Sequence, residues 1–176
     1  VGSGISAPYF NGKEYMRENR TGIGVDIHAL RKGSHLRIGG ISINCGFELV
    51  GHSDGDVLAH AIIDGILGAS GLGDIGFNFP SSNVAYRGIN SLILLERTVK
   101  MAESKGWRPT YIDATIVAQS PDMSPHILKM KDKISNVVNI KEDEVSIKAT
   151  TTDHLGFIGK EKGIACFAVV TVGSLG

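Results

Sequence analysis

The chain has 176 residues, 42% of them hydrophobic, and its 18 Lys plus Arg balance 18 Asp plus Glu. That length favours one domain able to bury its own core, and the even charge lacks the basic excess of proteins held on nucleic-acid phosphates. Apolar stretches such as Ile62–Leu67 and Ile164–Val172 are too short or interrupted to span a bilayer, so neither nucleic acid nor membrane is an expected partner.

Residues 1–19 are polar, Gly- and Ser-bearing and unpatterned, and read as a disordered leader or a remnant left by processing; the folded domain is expected over 20–173. Ile23–Leu30 reads as a strand carrying Asp26 and His28. Leu36–Asn44 alternates around Gly39-Gly40 as a strand or hairpin. Asp54 to about Ser70 is the clearest helix, with apolar residues at spacings of three and four and Ser53 or Asp54 as N-cap. A Gly-rich loop, Gly71–Gly88, precedes an amphipathic helix over Ser91–Lys105. Tyr111–Ala118 is strand-like, Gln119–Pro125 a turn, His126–Val138 a third helix, and Val145–Thr151 and Ile164–Val172 are closing strands. The order implies an α/β two-layer sandwich, a mixed four- to five-stranded sheet with helices on one face. Cys45 and Cys166 sit in apolar settings without metal-ligand spacing and read as reduced core residues.

Asp26 and His28, two apart on a strand, point to one face, and His60 in the first helix offers a third donor. Two imidazoles, a carboxylate and an open fourth position suit a catalytic zinc. Asp56 and Asp64, at i−4 and i+4 from His60, are candidate acceptors for its second ring N–H. The same residues equally describe surface polar groups or a satisfied core histidine, and spacing alone leaves both readings open. Gly71–Gly76 matches G-x-G-x-x-G but follows a helix instead of a strand, which argues against a dinucleotide fold. Asp74 there is a candidate ribose ligand. Thr150-Thr151-Thr152-Asp153 ends a strand with hydroxyls for phosphate and a carboxylate for a hard cation, or is an ordinary strand end with a turn. His52-Ser53 offers donors near a helix N-terminus.

Read together, Gly24-Val25-Asp26-Ile27-His28, His52-Ser53-Asp54-Gly55-Asp56-Val57 with His60, Leu72-Gly73-Asp74-Ile75-Gly76, Phe79-Pro80, Ala118-Gln119-Ser120-Pro121, Pro125-His126-Ile127, Lys148–Thr152, Leu155-Gly156-Phe157 and Glu161–Ala165 form a series. Over about Thr21–Val172 this series resembles the 2-C-methyl-D-erythritol 2,4-cyclodiphosphate synthase family. The resemblance implies a step of non-mevalonate isoprenoid synthesis, closing 4-diphosphocytidyl-2-C-methyl-D-erythritol 2-phosphate into a cyclic diphosphate with loss of CMP. It implies zinc on Asp26, His28 and His60, and a second cation, Mg²⁺ or Mn²⁺, on Asp153. His52 and Thr151 fall at positions that stabilise the transition state. Asp74 and Gly76 fall at the ribose site, with Ile75 between them at a substrate contact, and Ala118, Gln119, Ser120, Pro121, Asp122, Met123 and Ser124 at the loop that reads cytosine. Ser53, Phe79, Pro80, Ser81, Ser82, Asn83, Thr150, Thr152, Phe157 and Lys160 fall at further substrate contacts.

The resemblance also implies a homotrimer with active sites shared between subunits, in the cytoplasm of a bacterium or the plastid stroma of a eukaryote. Three departures stand out: Asp153 where Glu is common, Lys160 where Arg is common, and Ser81 in place of a frequent Asp. A zinc phosphohydrolase and a metal-stabilised trimeric scaffold are the competing readings. An open zinc position argues against the scaffold, because structural zinc is closed by four protein ligands.

Overall fold

The structure is a computed structural model and describes residues 18–51 and 53–175. Its main sheet is built from β1 (Asn19–Lys32), β4 (Phe47–Val50), β5 (Trp107–Val117), β6 (Val145–Thr150) and β7 (Gly163–Ser174). The spatial order is β4-β1-β7-β5-β6, antiparallel throughout except for the parallel pair β5–β6. A parallel pair needs a crossover, and α4 (Ile127–Val138) supplies it. Helices α1 (Val57–Ser70) and α3 (Ser91–Ser104) complete the helical layer. Strands β2 (His35–Ile38) and β3 (Ile41–Asn44) form a separate two-stranded sheet. Their turn residues Gly39 and Gly40 have φ of 59° and 73°, the paired positive values of a tight hairpin.

Side chains alternate across the sheet. Ile112, Ala114 and Ile116 of β5 and Cys166, Ala168, Val170 and Val172 of β7 are buried under the helices. The facing residues Ile23, Val25, Ile27, Phe167 and Val169 are exposed. Register puts Ile23 beside Val169 and Val25 beside Phe167, so these side chains form one continuous apolar band.

Glycines set the depth at which α1 sits. A Cβ at Gly24 would lie 1.9 Å from the Ala61 carbonyl oxygen, and one at Gly22 would lie 2.2 Å from that of Gly65. Bare backbone therefore meets the ridge Ala61, Gly65, Ala69, spaced by four along the helix. Seating the helix on Gly24 carries His60, one residue before Ala61, over the strand positions just beyond it, Asp26 and His28. The helix closes at Gly71, φ 69°, whose N–H bonds the Gly68 carbonyl, while Leu72 N bonds Leu67 O at 2.9 Å.

The expected helices over 91–105 and 126–138 and the expected strands all appear, several of them longer, such as β1 and β5. Four points differ. The fifth strand of the sheet is β4, which lacked a usable pattern over four residues, whereas the 36–44 hairpin stands apart. The N-cap of α1 is Asp56, neither Ser53 nor Asp54. Short helices α2 (Ile75–Asn78) and α5 (Gly156–Gly159) form where loop was expected, the first capped by Asp74. Cys166 is buried but Cys45 only half so, and both are free thiols. Of the expected leader over residues 1–19, residues 1–17 lie outside those described, while Glu18 N donates to Ser174 Oγ at 3.1 Å and Asn19 begins β1 opposite Gly173, ahead of the expected start at 20. Among the described residues no helix is long and apolar enough to cross a membrane.

Candidate metal centre and nucleotide clefts

Three donor atoms converge where α1 crosses β1. His28 Nε2 lies 3.0 Å from Asp26 Oδ2, His60 Nδ1 lies 3.1 Å from the same oxygen, and the two imidazole nitrogens are 3.2 Å apart. In a tetrahedral zinc site with bonds of about 2.0 Å, neighbouring ligand atoms are about 3.3 Å apart. The triangle is already close to that size, and one oxygen with two borderline nitrogens is the donor set such an ion takes. These residues fit a divalent metal.

Charge supports the same reading. Burial pushes the Asp26 carboxyl up, but hydrogen bonds from His28 and His60 and their charges outweigh it and hold the group well below the usual carboxylate range. For His28 burial pushes down, yet the Asp26 bond and charge and the Val50 carbonyl win and raise it above 6.5. The site thus favours a negative Asp26 with a cation beside it, whether proton or metal.

The expected acceptors for the second nitrogen of His60 are not the ones used. Asp56 is turned away: it caps Ala59 N at 3.0 Å and takes Gly39 N at 2.8 Å and Gly40 N at 2.7 Å, fastening the hairpin to the start of α1. Asp64 instead takes Ile75 N at 2.7 Å. Nε2 of His60 meets Ser91 Oγ at 2.8 Å and Ser53 Oγ at 2.9 Å, and Ser91 is hydrogen-bonded to Asp54. Spacing along one helix pointed at i±4 neighbours; the partners are Ser53, from the loop before α1, and Ser91 of α3, which only tertiary packing brings near. The one signal for it was Ser91 at the start of a predicted helix.

The three donors open into a cleft of about 330 Å³. Ser53, Ile75, Gly76, Phe79, Pro80, Ser81 and Ser82 line it, joined by Tyr86 and Leu94, which sequence reading missed. Tyr86 stacks edge-on against Phe79 with ring centroids 5.6 Å apart, stiffening that wall. Asp74 caps α2 through Oδ1 on Phe77 N at 2.7 Å, and Asn83 caps the next turn on Ala85 N at 3.0 Å.

A second cleft of about 310 Å³ gathers Ala118, Gln119, Pro121, Asp122, Met123, Ser124, Thr150 and Thr151. Gln119 Oε1 accepts His154 N at 3.0 Å and ties the 118–124 loop to the end of β6. Ser120 precedes a cis proline. Asp122 accepts Ser124 N at 2.9 Å, which lowers its carboxyl from the ordinary value. Thr151 Oγ1 lies 3.3 Å from Asp153 Oδ1, and Thr152 Oγ1 donates to Leu155 O at 2.8 Å. Phe157 and Lys160, on and just after α5, line neither cleft. His52 lies outside the described residues.

The two clefts share no residue. Register aligns Asp26 with Cys166, Cys166 with Ile116 and Ile116 with Ala149, so the second cleft, at the ends of β5 and β6, lies two to three strand spacings, about 10–14 Å, from Asp26.

Known proteins resemble this chain in sequence and fold. The sequence model of the YgbB family matches residues 19–173. The 2-C-methyl-D-erythritol 2,4-cyclodiphosphate synthase of Syntrophomonas wolfei is 48% identical over 153 residues, 87% of this chain and 98% of its own. That of Pseudomonas putida is 47% identical over 150 residues, 85% and 96% of the two chains. Among solved structures, the CDP complex of Plasmodium falciparum IspF aligns with a TM-score of 0.79 at 35% identity, covering 90% of this chain and 97% of that one. The bifunctional IspDF of Campylobacter jejuni aligns with a TM-score of 0.86 at 37% identity, and this chain spans 43% of it. Since the match runs through both clefts and all three metal donors, the chain belongs to the YgbB family, among the 2-C-methyl-D-erythritol 2,4-cyclodiphosphate synthases.

Proposed function

We propose that the chain converts 4-diphosphocytidyl-2-C-methyl-D-erythritol 2-phosphate to 2-C-methyl-D-erythritol 2,4-cyclodiphosphate and CMP, as the synthase of non-mevalonate isoprenoid synthesis. The observation that carries the chemistry is the triangle of Asp26, His28 and His60 at the floor of a cleft walled by the 75–82 loop. An oxygen of the 2-phosphate attacks the β-phosphorus of the same molecule, a P–O bond to the cytidylate phosphate breaks, and CMP leaves with the electron pair. Tethering places the nucleophile in line, so no protein nucleophile is needed. Zinc held by Asp26, His28 and His60, with Mg²⁺ or Mn²⁺ at Asp153, supplies Lewis acidity and charge neutralisation. Ser53 holds a phosphate oxygen beside the triangle, Thr151 does so from the second cleft, and His52 stabilises the transition state through the phosphates. Asp74 holds the ribose hydroxyls through Oδ2, because Oδ1 is engaged by α2. Backbone of 118–124 reads the cytosine.

The working unit is a homotrimer in which the second cleft of one subunit faces the metal cleft of its neighbour. Two observations support it: the clefts share no residue and stand about 10–14 Å apart within a chain, and the sheet exposes the band Ile23, Val25, Ile27, Phe167, Val169. A monomeric chain rarely leaves such a surface to water.

Turnover in ¹⁸O-water tests the chemistry. Internal attack leaves CMP and a cyclic product free of solvent oxygen. Stoichiometric label with a linear product would establish a hydrolase instead.

A further inference from the structure

Ser91 Oγ carries a single hydrogen, and it donates that hydrogen to Asp54 Oδ1. The other oxygen of Asp54 accepts the Ser91 backbone N–H at 3.1 Å, with Arg37 Nε 3.7 Å away. With its hydrogen committed to a carboxylate, Ser91 Oγ meets His60 Nε2 at 2.8 Å as an acceptor. Nε2 therefore holds the ring proton, and Nδ1 keeps the lone pair that faces Asp26 and His28. Had Ser91 lacked the carboxylate, its hydroxyl would be free to donate to Nε2 and leave the proton on Nδ1, where it blocks a metal.

We propose that Asp54 and Ser91 form a positioning relay that sets the tautomer and ring orientation of His60 and so presents Nδ1 to the metal. This rests on the reading of Asp26, His28 and His60 as metal ligands. Ser91 is fully buried, which excludes water as a competing partner for its hydroxyl, while the Asp54 side chain is 12% exposed. The relay reaches further than the ring. Asp54 N donates to Ile89 O at 3.2 Å, so one residue fastens the end of the loop that walls the metal cleft and the start of α3 to the ligand itself. Ser53 Oγ also lies 2.9 Å from Nε2 but has its own hydrogen uncommitted, so the committed hydrogen of Ser91 is what selects the tautomer.

The test uses the full chain with Asp54→Asn, Ser91→Ala and the double variant. Nitrogen-15 spectra of the metal-free wild type at alkaline pH, where imidazoles are neutral, are expected to show His60 protonated on Nε2. Asp54→Asn is expected to give a mixture of tautomers. Zinc affinity, from competition with a chelator, is expected to fall about 10–100-fold in each single variant. Because the two residues act in series, the double variant should lose little more than one single. Ser70→Ala, which removes a different buried hydroxyl from α1, should change neither readout. Asp54→Asn keeps the shape of its side chain and carries the test if Ser91→Ala melts early. A wild-type His60 protonated on Nδ1, unchanged zinc affinity in folded Asp54→Asn, or additive losses would overturn the relay. A wild type that binds no zinc would overturn the metal reading, and the metal-free tautomer would still judge the relay separately.

Discussion

The two clefts are built on opposite principles. Around the metal donors, positive φ angles fall on glycines, Gly39, Gly40 and Gly55, and the polar side chains are anchored: Asp56 by three backbone N–H groups, His60 by two serines. At the second cleft the left-handed conformations fall on Asp153, φ 48°, and His154, φ 64°, and both residues are exposed. A non-glycine residue held there costs about 1–2 kcal/mol. One cleft is pre-organised by its own chain. The other stores strain at an open surface.

Removing a ligand should have the largest effect. His60→Ala is expected to abolish zinc retention and lower kcat/KM by about a thousandfold or more, since Lewis-acid stabilisation amounts to several kcal/mol. The protein should remain folded. Zinc content by elemental analysis, undiminished in a folded variant, would end the assignment of the triangle.

Next comes the division between subunits. If the clefts meet across an interface, inactive His28→Ala and inactive Thr151→Ala proteins should restore activity once mixed and reassembled. Random assembly around a ring gives intact sites with a ceiling of about a quarter of the wild-type number. No recovery in a confirmed mixed trimer, or an active monomer in sedimentation, would show that each chain completes its own site.

Gly24→Ala probes how the metal cleft is set. Its new Cβ would fall 1.9 Å from the Ala61 carbonyl, so α1 must lift. A loss of about 2–3 kcal/mol in denaturant titration is expected, with weakened metal binding, since His60 moves with the helix. An equal substitution that left the melting point and the metal affinity alone would show that the helix is not seated on Gly24.

Protons should distinguish the clefts by a smaller margin. His28 must be neutral to bind metal, and its pKa is raised above 6.5 by Asp26. Metal affinity should therefore fall about tenfold per unit as pH drops through a range that begins above that of an ordinary histidine. The sign reverses for the metal-free protein. The raised pKa of His28 contributes stability that is present below 6.5 and lost as pH rises through the folded-state value. Melting curves of metal-free and metal-loaded protein across neutral pH check both slopes. The smallest effect belongs to the strained turn: His154→Gly should gain about 0.5–1 kcal/mol in the isolated chain, read as a shift in urea midpoint.

Local pattern determined much of this. Apolar residues at spacings of three and four made α1, α3 and α4 legible, and alternation made β5 and β7 so, because each buries one face against a common core. Asp26 and His28 were readable as a same-face pair because a strand repeats every two residues. His60 joins them only because Gly22 and Gly24 let α1 lie on bare backbone. Strand β4 is four residues long and gains its identity from pairing with β1, not from its own composition. Ser91 and Asp54 stand 37 positions apart, and no periodicity reports a hydrogen bond made across that distance. Whatever repeats within a single element could be read along the chain; whatever depends on two elements touching was decided by packing, because the distances that fix ligands, acceptors and clefts exist only between them.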